Sequence, residues 1–220
     1  MIKKKVYCVF DTETIGVSKK WVYDLGMVIV EKTGRPLAMW RWRIKEILEI
    51  PGIEKIAYYG EKIPVFYSGL PVVTFAQAKK EFNEILEKME VTTITAYNLQ
   101  FDMSAMKQTL EQTNSGRNFL EKPYEYFDLW NASCDSLFQQ KRFKRIAIEQ
   151  NWLTEKGNIR TSAEIAYRYI TGNYQFMETH TALEDAEIEA RILQEVLRQK
   201  KRIIRNELVA HPWRKVNRGR

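Results

Sequence analysis

Cysteine and histidine are scarce in this sequence, with two of each among 220 residues. Cys8 and Cys134 lie in segments that read as buried, so neither a disulfide framework nor a thiolate zinc site is indicated. Long hydrophobic runs are also missing: no uninterrupted apolar stretch approaches the length of a membrane span, and no membrane partner is expected. The opening Met1-Ile2-Lys3-Lys4-Lys5 leads into a short apolar run, Val6 to Phe10, too short for a secretory leader with a small-residue cleavage site. The expected location is cytoplasmic. Low-complexity tracts and internal repeats are absent. With 45% hydrophobic and 12% aromatic residues the chain has the composition of a globular body, and its length suits one core.

What is present in excess is positive charge, placed unevenly. The formal net charge is +7, yet residues 198–220 alone hold nine Lys or Arg against the single Glu207. The chain therefore divides into a nearly neutral body, residues 1–197, and a basic C-terminal helix end and tail, residues 198–220. Clustered cations of this kind suit phosphate backbones through counterion release; a solvated, frayed terminus is the other reading.

Three apolar segments, Val6 to Phe10, Leu25 to Val30 and Leu37 to Ile44, are separated by turn-like stretches and predict a three-stranded meander. Residues 45–73 read as a long irregular connection rich in Pro, Gly and Tyr, of the kind that is often functional. Thr74 and Gln77 form a capping box ahead of a helix whose Phe75, Ala78, Phe82, Ile85, Leu86 and Met89 share a face. Val91 to Tyr97 is a β-branched strand, followed by a helix beginning near Asp102. A short strand over Tyr124 to Phe127, a helix over Ala163 to Ile170 and a helix from about Ala182 into the tail complete an α/β pattern around a mixed sheet.

Three segments carry chemistry. Asp11 and Glu13 are two apart in the first strand, so the strand period puts both carboxylates on one face. That is half a divalent-metal site, or two surface acids at a fraying strand end. Asp102 follows Asn98-Leu99-Gln100-Phe101 at a strand-to-helix junction, where an Asp also serves as a helix N-terminal residue. His180-Thr181-Ala182-Leu183-Glu184-Asp185 leads into a helix with Asp185 at the border of the apolar stripe, and His180 in the loop before it. Asp24 reads as a strand entry and Asp128 as a helix start, and neither is placed in the site.

In order and context these segments resemble the DEDDh exonucleases, the family of the proofreading subunits of bacterial replicative polymerases and of several 3′ exoribonucleases. Phe10-Asp11-Thr12-Glu13-Thr14-Ile15-Gly16 matches the first motif, Asn98-x-x-Phe101-Asp102 the second, and His180-x-Ala182-x-x-Asp185-Ala186 the third. A sister subgroup has tyrosine four residues before the last Asp, where this chain has Thr181. Ile15 departs from a threonine common in the first motif.

The resemblance implies a ribonuclease H-like fold: a central mixed five-stranded sheet, antiparallel meander plus parallel strands, flanked by helices. It also implies two Mg²⁺ or Mn²⁺ ions held by Asp11, Glu13, Asp102 and Asp185, with His180 as general base and Thr12, Thr14, Asn98 and Phe101 contacting substrate. The implied reaction is 3′-to-5′ hydrolysis of single-stranded DNA ends to nucleoside 5′-monophosphates, in proofreading or repair, with a DNA polymerase as a further partner. The same five residues would serve RNA ends equally well. A non-catalytic nucleic-acid-binding module on the same fold is the alternative from another class.

Overall fold

The computed structural model describes residues 5–217. Met1 to Lys4 and the last two arginines of the basic tail, Arg218 and Arg220, lie outside them. Five strands form one sheet in the order β3-β2-β1-β4-β5. β1 (Val6–Thr14), β2 (Val22–Glu31) and β3 (Pro36–Arg43) are the antiparallel meander. β4 (Thr93–Ala96) runs parallel to β1, and β5 (Glu125–Asp128) parallel to β4.

β1 is central and covered on both faces, which is why its apolar run is continuous and not alternating. Cys8 and Phe10 face a core completed by α4 (Phe75–Lys88) and α5 (Leu99–Thr113). Tyr7 and Val9 face a second core built with α6 (Leu129–Asp135), α7 (Lys141–Glu149), α8 (Ala163–Thr171) and α9 (Ala182–Arg198). As expected the strand carries Asp11 and Glu13, and it runs on to Thr14, with the two acids in register opposite Gly26 and Asp24 of β2. α5 begins at Leu99, three residues before the start expected near Asp102, and holds Asp102 in its first turn.

Other elements differ from the sequence pattern. Residues 45–73 are not irregular: they hold the one-turn helices α1 (Lys45–Leu48), α2 (Ile53–Ile56) and α3 (Ile63–Phe66), with a 3₁₀ turn over Gly60–Lys62. Single turns bury too few apolar positions to leave a periodic signal. The basic stretch from Lys141 opens α7, whose Phe143, Ile146 and Ala147 are buried. The Thr74 half of the capping box forms, its side chain accepting from Gln77 N at 3.2 Å. Asp128 caps α6 as expected, accepting from Asn131 N at 2.9 Å.

Over residues 198–217 the basic segment is docked and not frayed. The helix stops at Arg198, and the chain returns along the body through Asn206, whose N–H donates to Tyr126 O, to a last turn at Arg214–Asn217. There Val216 is buried, Lys215 donates to Asp135 at 2.7 Å, and Asn217 accepts from Ile159 N at 2.8 Å.

α9 crosses β2 at Gly26, where a Cβ would come within 2.2 Å of Ala182 O and 2.4 Å of Leu183 N. Both contacts are backbone, so no side chain can yield. Gly26→Ala is expected to destabilise the protein by roughly 1–3 kcal/mol, the usual cost of overpacking, and to displace the start of α9. Denaturant unfolding checks the first; loss of the Asp185 position, seen as weakened Mn²⁺ binding, checks the second.

Candidate active site

Asp11 and Glu13 project from β1 towards α9, as a period of two requires. Asp185, in the first turn of α9, meets them from above. Glu13, Asp185 and His180 each offer a ligand atom, and these atoms lie within 4.8 Å of one another. Asp102 reaches the group from α5 and is held by Thr12, whose hydroxyl donates to its Oδ1 at 2.7 Å. The five residues of the three motifs therefore converge at one end of the sheet, with Asp102 and Asp11 beside the tighter trio.

Too many carboxylates share this space to be ionised together. Burial, then Glu189, Asp102, Asp185 and Glu13, push the Asp11 carboxyl well above its ordinary range. Glu13 is raised by burial and by Asp185, and Asp102 by burial against the pull of the Thr12 hydroxyl. Asp185 is raised by burial against the hydrogen bond it shares with the Glu13 carboxyl, and its buried Oδ1 receives no N–H or hydroxyl donor. An orphaned acceptor among oxygen donors that resist ionising fits a hard divalent cation, and Asp11, Glu13, Asp102 and Asp185 are the residues that would hold it.

His180 sits in the loop before α9 with a left-handed backbone, φ 54°. Its ring stacks on Tyr59 at 4.1 Å and 11°. Lys62 Nζ donates to the carbonyl of neighbouring Thr179 at 2.8 Å and lies 4.8 Å from the centre of the Tyr59 ring. Burial first, then Lys62, lower the histidine pKa, which keeps the imidazole neutral near pH 7.

The expected substrate contacts separate into two places. Thr12, Thr14 and Phe101 line a cavity of about 160 Å³ with Glu13, Tyr58 and Tyr59. Asn98, left-handed at φ 72° ahead of α5, lines a different groove. Of the aromatics in 45–73, Tyr67 is core, Tyr59 serves His180 and Tyr58 is 70% exposed.

Two further acids belong here: Asp24, which the sequence pattern reads as a strand entry outside the site but which lies within β2 beneath the start of α9, and Glu189, which the pattern does not single out. Asp24 is wholly buried; its Oδ2 accepts from Arg41 at 2.7 Å, from Tyr67 OH at 2.9 Å and from Ala182 N at 3.0 Å. It is opposite Glu13 across the β1–β2 ladder and fixes the start of α9. Glu189 is buried on α9 and accepts from Tyr97 N at 3.0 Å. Its spacing of four from Asp185 was the one available signal.

No protein-family model matches the sequence, and a search of curated proteins finds no relative. Solved structures do match. E. coli exonuclease I in a zinc-bound complex with single-stranded DNA superposes with a TM-score of 0.56 at 12% identity, over 90% of this chain and 42% of that one. The fold is that of these exonucleases. The cell-death related nuclease CRN-4 matches with a TM-score of 0.57 at 13% identity, over 93% of this chain and 67% of its own. Exonuclease I from Methylocaldum szegediense matches with 0.50 at 14%, over 90% and 41%. The chain thus spans less than half the length of the exonuclease I chains. The mixed sheet flanked by helices is the ribonuclease H-like architecture expected from the sequence. Among the described residues no helix is long and apolar enough to cross a membrane.

Raised carboxyl pKa values have a definite consequence for stability. An unfolded Asp or Glu releases its proton near pH ~4, whereas the folded site retains protons to higher pH, with Asp102 at about 7. The native state then binds more protons than the unfolded one across that window, so the metal-free protein loses stability as pH rises through it. A divalent cation replaces those protons. The melting temperature with EDTA should fall between about pH 5 and 8, and the gain from Mn²⁺ should be larger at pH 8. A gain independent of pH, measured by thermal unfolding, would contradict the assignment.

Proposed function

We propose that this protein is a divalent-metal-dependent 3′-to-5′ exonuclease that removes nucleoside 5′-monophosphates from single-stranded nucleic-acid ends. One observation carries the reading: four carboxylates from three separate segments and one neutral, stacked histidine converge at one end of the sheet of an exonuclease fold. Exonuclease I of this fold is solved with single-stranded DNA, which supports the choice of substrate.

Asp11, Glu13, Asp102 and Asp185 would hold two Mg²⁺ or Mn²⁺ ions, which when bound supply charge shielding at the phosphate and a more acidic water. His180 would accept the proton of the attacking water as the water oxygen bonds phosphorus and the bond to the 3′-oxygen breaks, the departing 3′-oxygen taking a proton from solvent. Tyr59 fixes the plane of the ring, and Lys62 fixes the backbone that carries it. Thr12 orients Asp102 rather than donating to substrate. The cavity of Phe101, Thr14 and Tyr58 takes the terminal nucleotide, its rings offering a face to the base.

Asp185→Asn and Asp102→Asn should each abolish hydrolysis while leaving the circular dichroism spectrum intact. With the unaltered protein, a 5′-labelled strand of DNA or RNA should shorten stepwise in Mg²⁺ and not at all in chelator. Immediate release of the labelled mononucleotide would reverse the polarity, and undiminished turnover in either variant would remove that carboxylate from the site.

His180 lies close enough to Glu13 and Asp185 to act as a ligand instead. As a base, its replacement by Ala should lower the rate by ~10²–10⁴ and leave Mn²⁺ affinity unchanged. A parallel loss of Mn²⁺ affinity in calorimetry would make it a ligand.

A further inference from the structure

A second concavity lies apart from the catalytic one. A groove of about 970 Å³ lies on the other side of the α5 start, lined by Tyr97, Asn98, Trp130, Lys156, Arg160 and, from the docked tail, Trp213. That is the upper end of the ~300–1,000 Å³ typical of small-molecule sites. Asn98 lines this groove and Phe101 the cavity beside Glu13, so the two concavities flank the turn that carries Asp102.

The walls of the groove are built and not incidental. Trp130 and Tyr97 stack at 6.4 Å and 26°, and both are tied to one residue: Tyr97 OH donates to Thr161 O at 2.6 Å and Trp130 Nε1 to Thr161 Oγ1 at 2.9 Å. Trp213 is brought to the groove by the tail's own anchors, Val216 in the core and Asn217 Nδ2 donating to Trp213 O at 3.0 Å. The Arg214 guanidinium lies 5.6 Å from the Trp213 ring centre. Lys156 and Arg160 are exposed at the groove with Glu155 as its acid, and Arg214 of the tail stands beside Trp213. None of these residues has a part in the mechanism above.

We propose that this groove seats the single strand upstream of the scissile phosphate, its bases stacking on Trp130 and Trp213 and its phosphates meeting Lys156, Arg160 and Arg214. The occupant follows from the chemistry of the walls. Partly exposed indole rings receive any base, and clustered cations at their rim suit a polyanion. Continuity with the catalytic end through Asn98 makes that polyanion the rest of the same strand. The inference rests on the exonuclease reading and adds to it that the C-terminal segment is substrate-binding surface and sets how long a strand must be to bind well.

The test is binding in EDTA, with oligothymidylates of 3 and 12 nucleotides titrated into the full chain and followed by tryptophan fluorescence and anisotropy. The 12-mer should quench fluorescence and bind more tightly than the 3-mer. Trp213→Ala should reduce that length advantage by about tenfold, and Trp213→Phe should retain most of it. Because Trp213 touches the tail's docking, Lys156→Glu combined with Arg160→Glu supplies a second variant at exposed positions, which should flatten the salt dependence of 12-mer binding. An unchanged length advantage in Trp213→Ala with an unchanged salt slope in the charge variant overturns the proposal. So does a 12-mer that binds without altering fluorescence. Stepwise hydrolysis alongside either result leaves the nuclease reading standing without the groove; quenching and length dependence in a protein that hydrolyses nothing leaves the groove standing without the nuclease reading.

Discussion

A carboxylate removed entirely from water, Asp24, joins four parts of the chain at one point. Arg41 of β3, Tyr67 of the segment after Ile63–Phe66 and the backbone N–H of Ala182 all donate to it, and its strand pairs it with Glu13. Burying that charge is tolerable only because the guanidinium and two further donors satisfy it, and removing any partner would leave a desolvated charge behind. Gly26, two residues on, lets the α9 backbone approach the sheet closely enough for the Ala182 bond to form. The position of Asp185 over Asp11 and Glu13 is thus set by a hydrogen bond three residues earlier and a missing side chain beneath it.

The contrast between Asp24 and its neighbours is instructive. Asp24 has a fixed cation of its own, whereas among the described residues no ion pair reaches Glu13 or Asp185, whose carboxyls lean only on each other. Had the fold only needed to bury acids, a second arginine would have served both places. Leaving one cluster compensated and the next uncompensated concentrates an unmet demand for positive charge at a single point, which is what a dissociable divalent ion answers. Glu189 deepens that demand from below while its own bond to Tyr97 N keeps the strand-to-helix junction closed.

Much of this was legible beforehand because it is local. The strands declared themselves by apolar runs, α4 by its stripe and cap, and the three motifs by residue spacings within single elements. What was hidden depends on pairs distant in sequence. Asp24 looks like any polar strand residue until Arg41 and Ala182 are folded against it. Lys62 and Thr179 are 117 residues apart, and nothing near either predicts the other. Short helices of one turn between 45 and 66 bury one side chain each, too little for periodicity to register. The tail read equally well as solvated or bound because nine cations say nothing about the few residues, Val216 and Asn217 among them, that dock it.

The supports of His180 differ in kind from those of the carboxylates. Asp11, Glu13 and Asp185 are held by regular elements, through ladder and helix bonds that cannot shift singly. His180 is held by a ring stack, by a lysine bond to the preceding carbonyl and by its own left-handed backbone, and the first two come from the segment around Gly60–Lys62. That segment is itself fastened to the end of the first motif, where Tyr58 N donates to Ile15 O at 2.8 Å. Ile15, the departure from the common motif, is buried there and contributes its backbone, which any residue supplies. Movement of the loop pair Tyr59 and His180 would therefore leave the carboxylates in place, so that cation binding and proton transfer are built on separable parts of one fold.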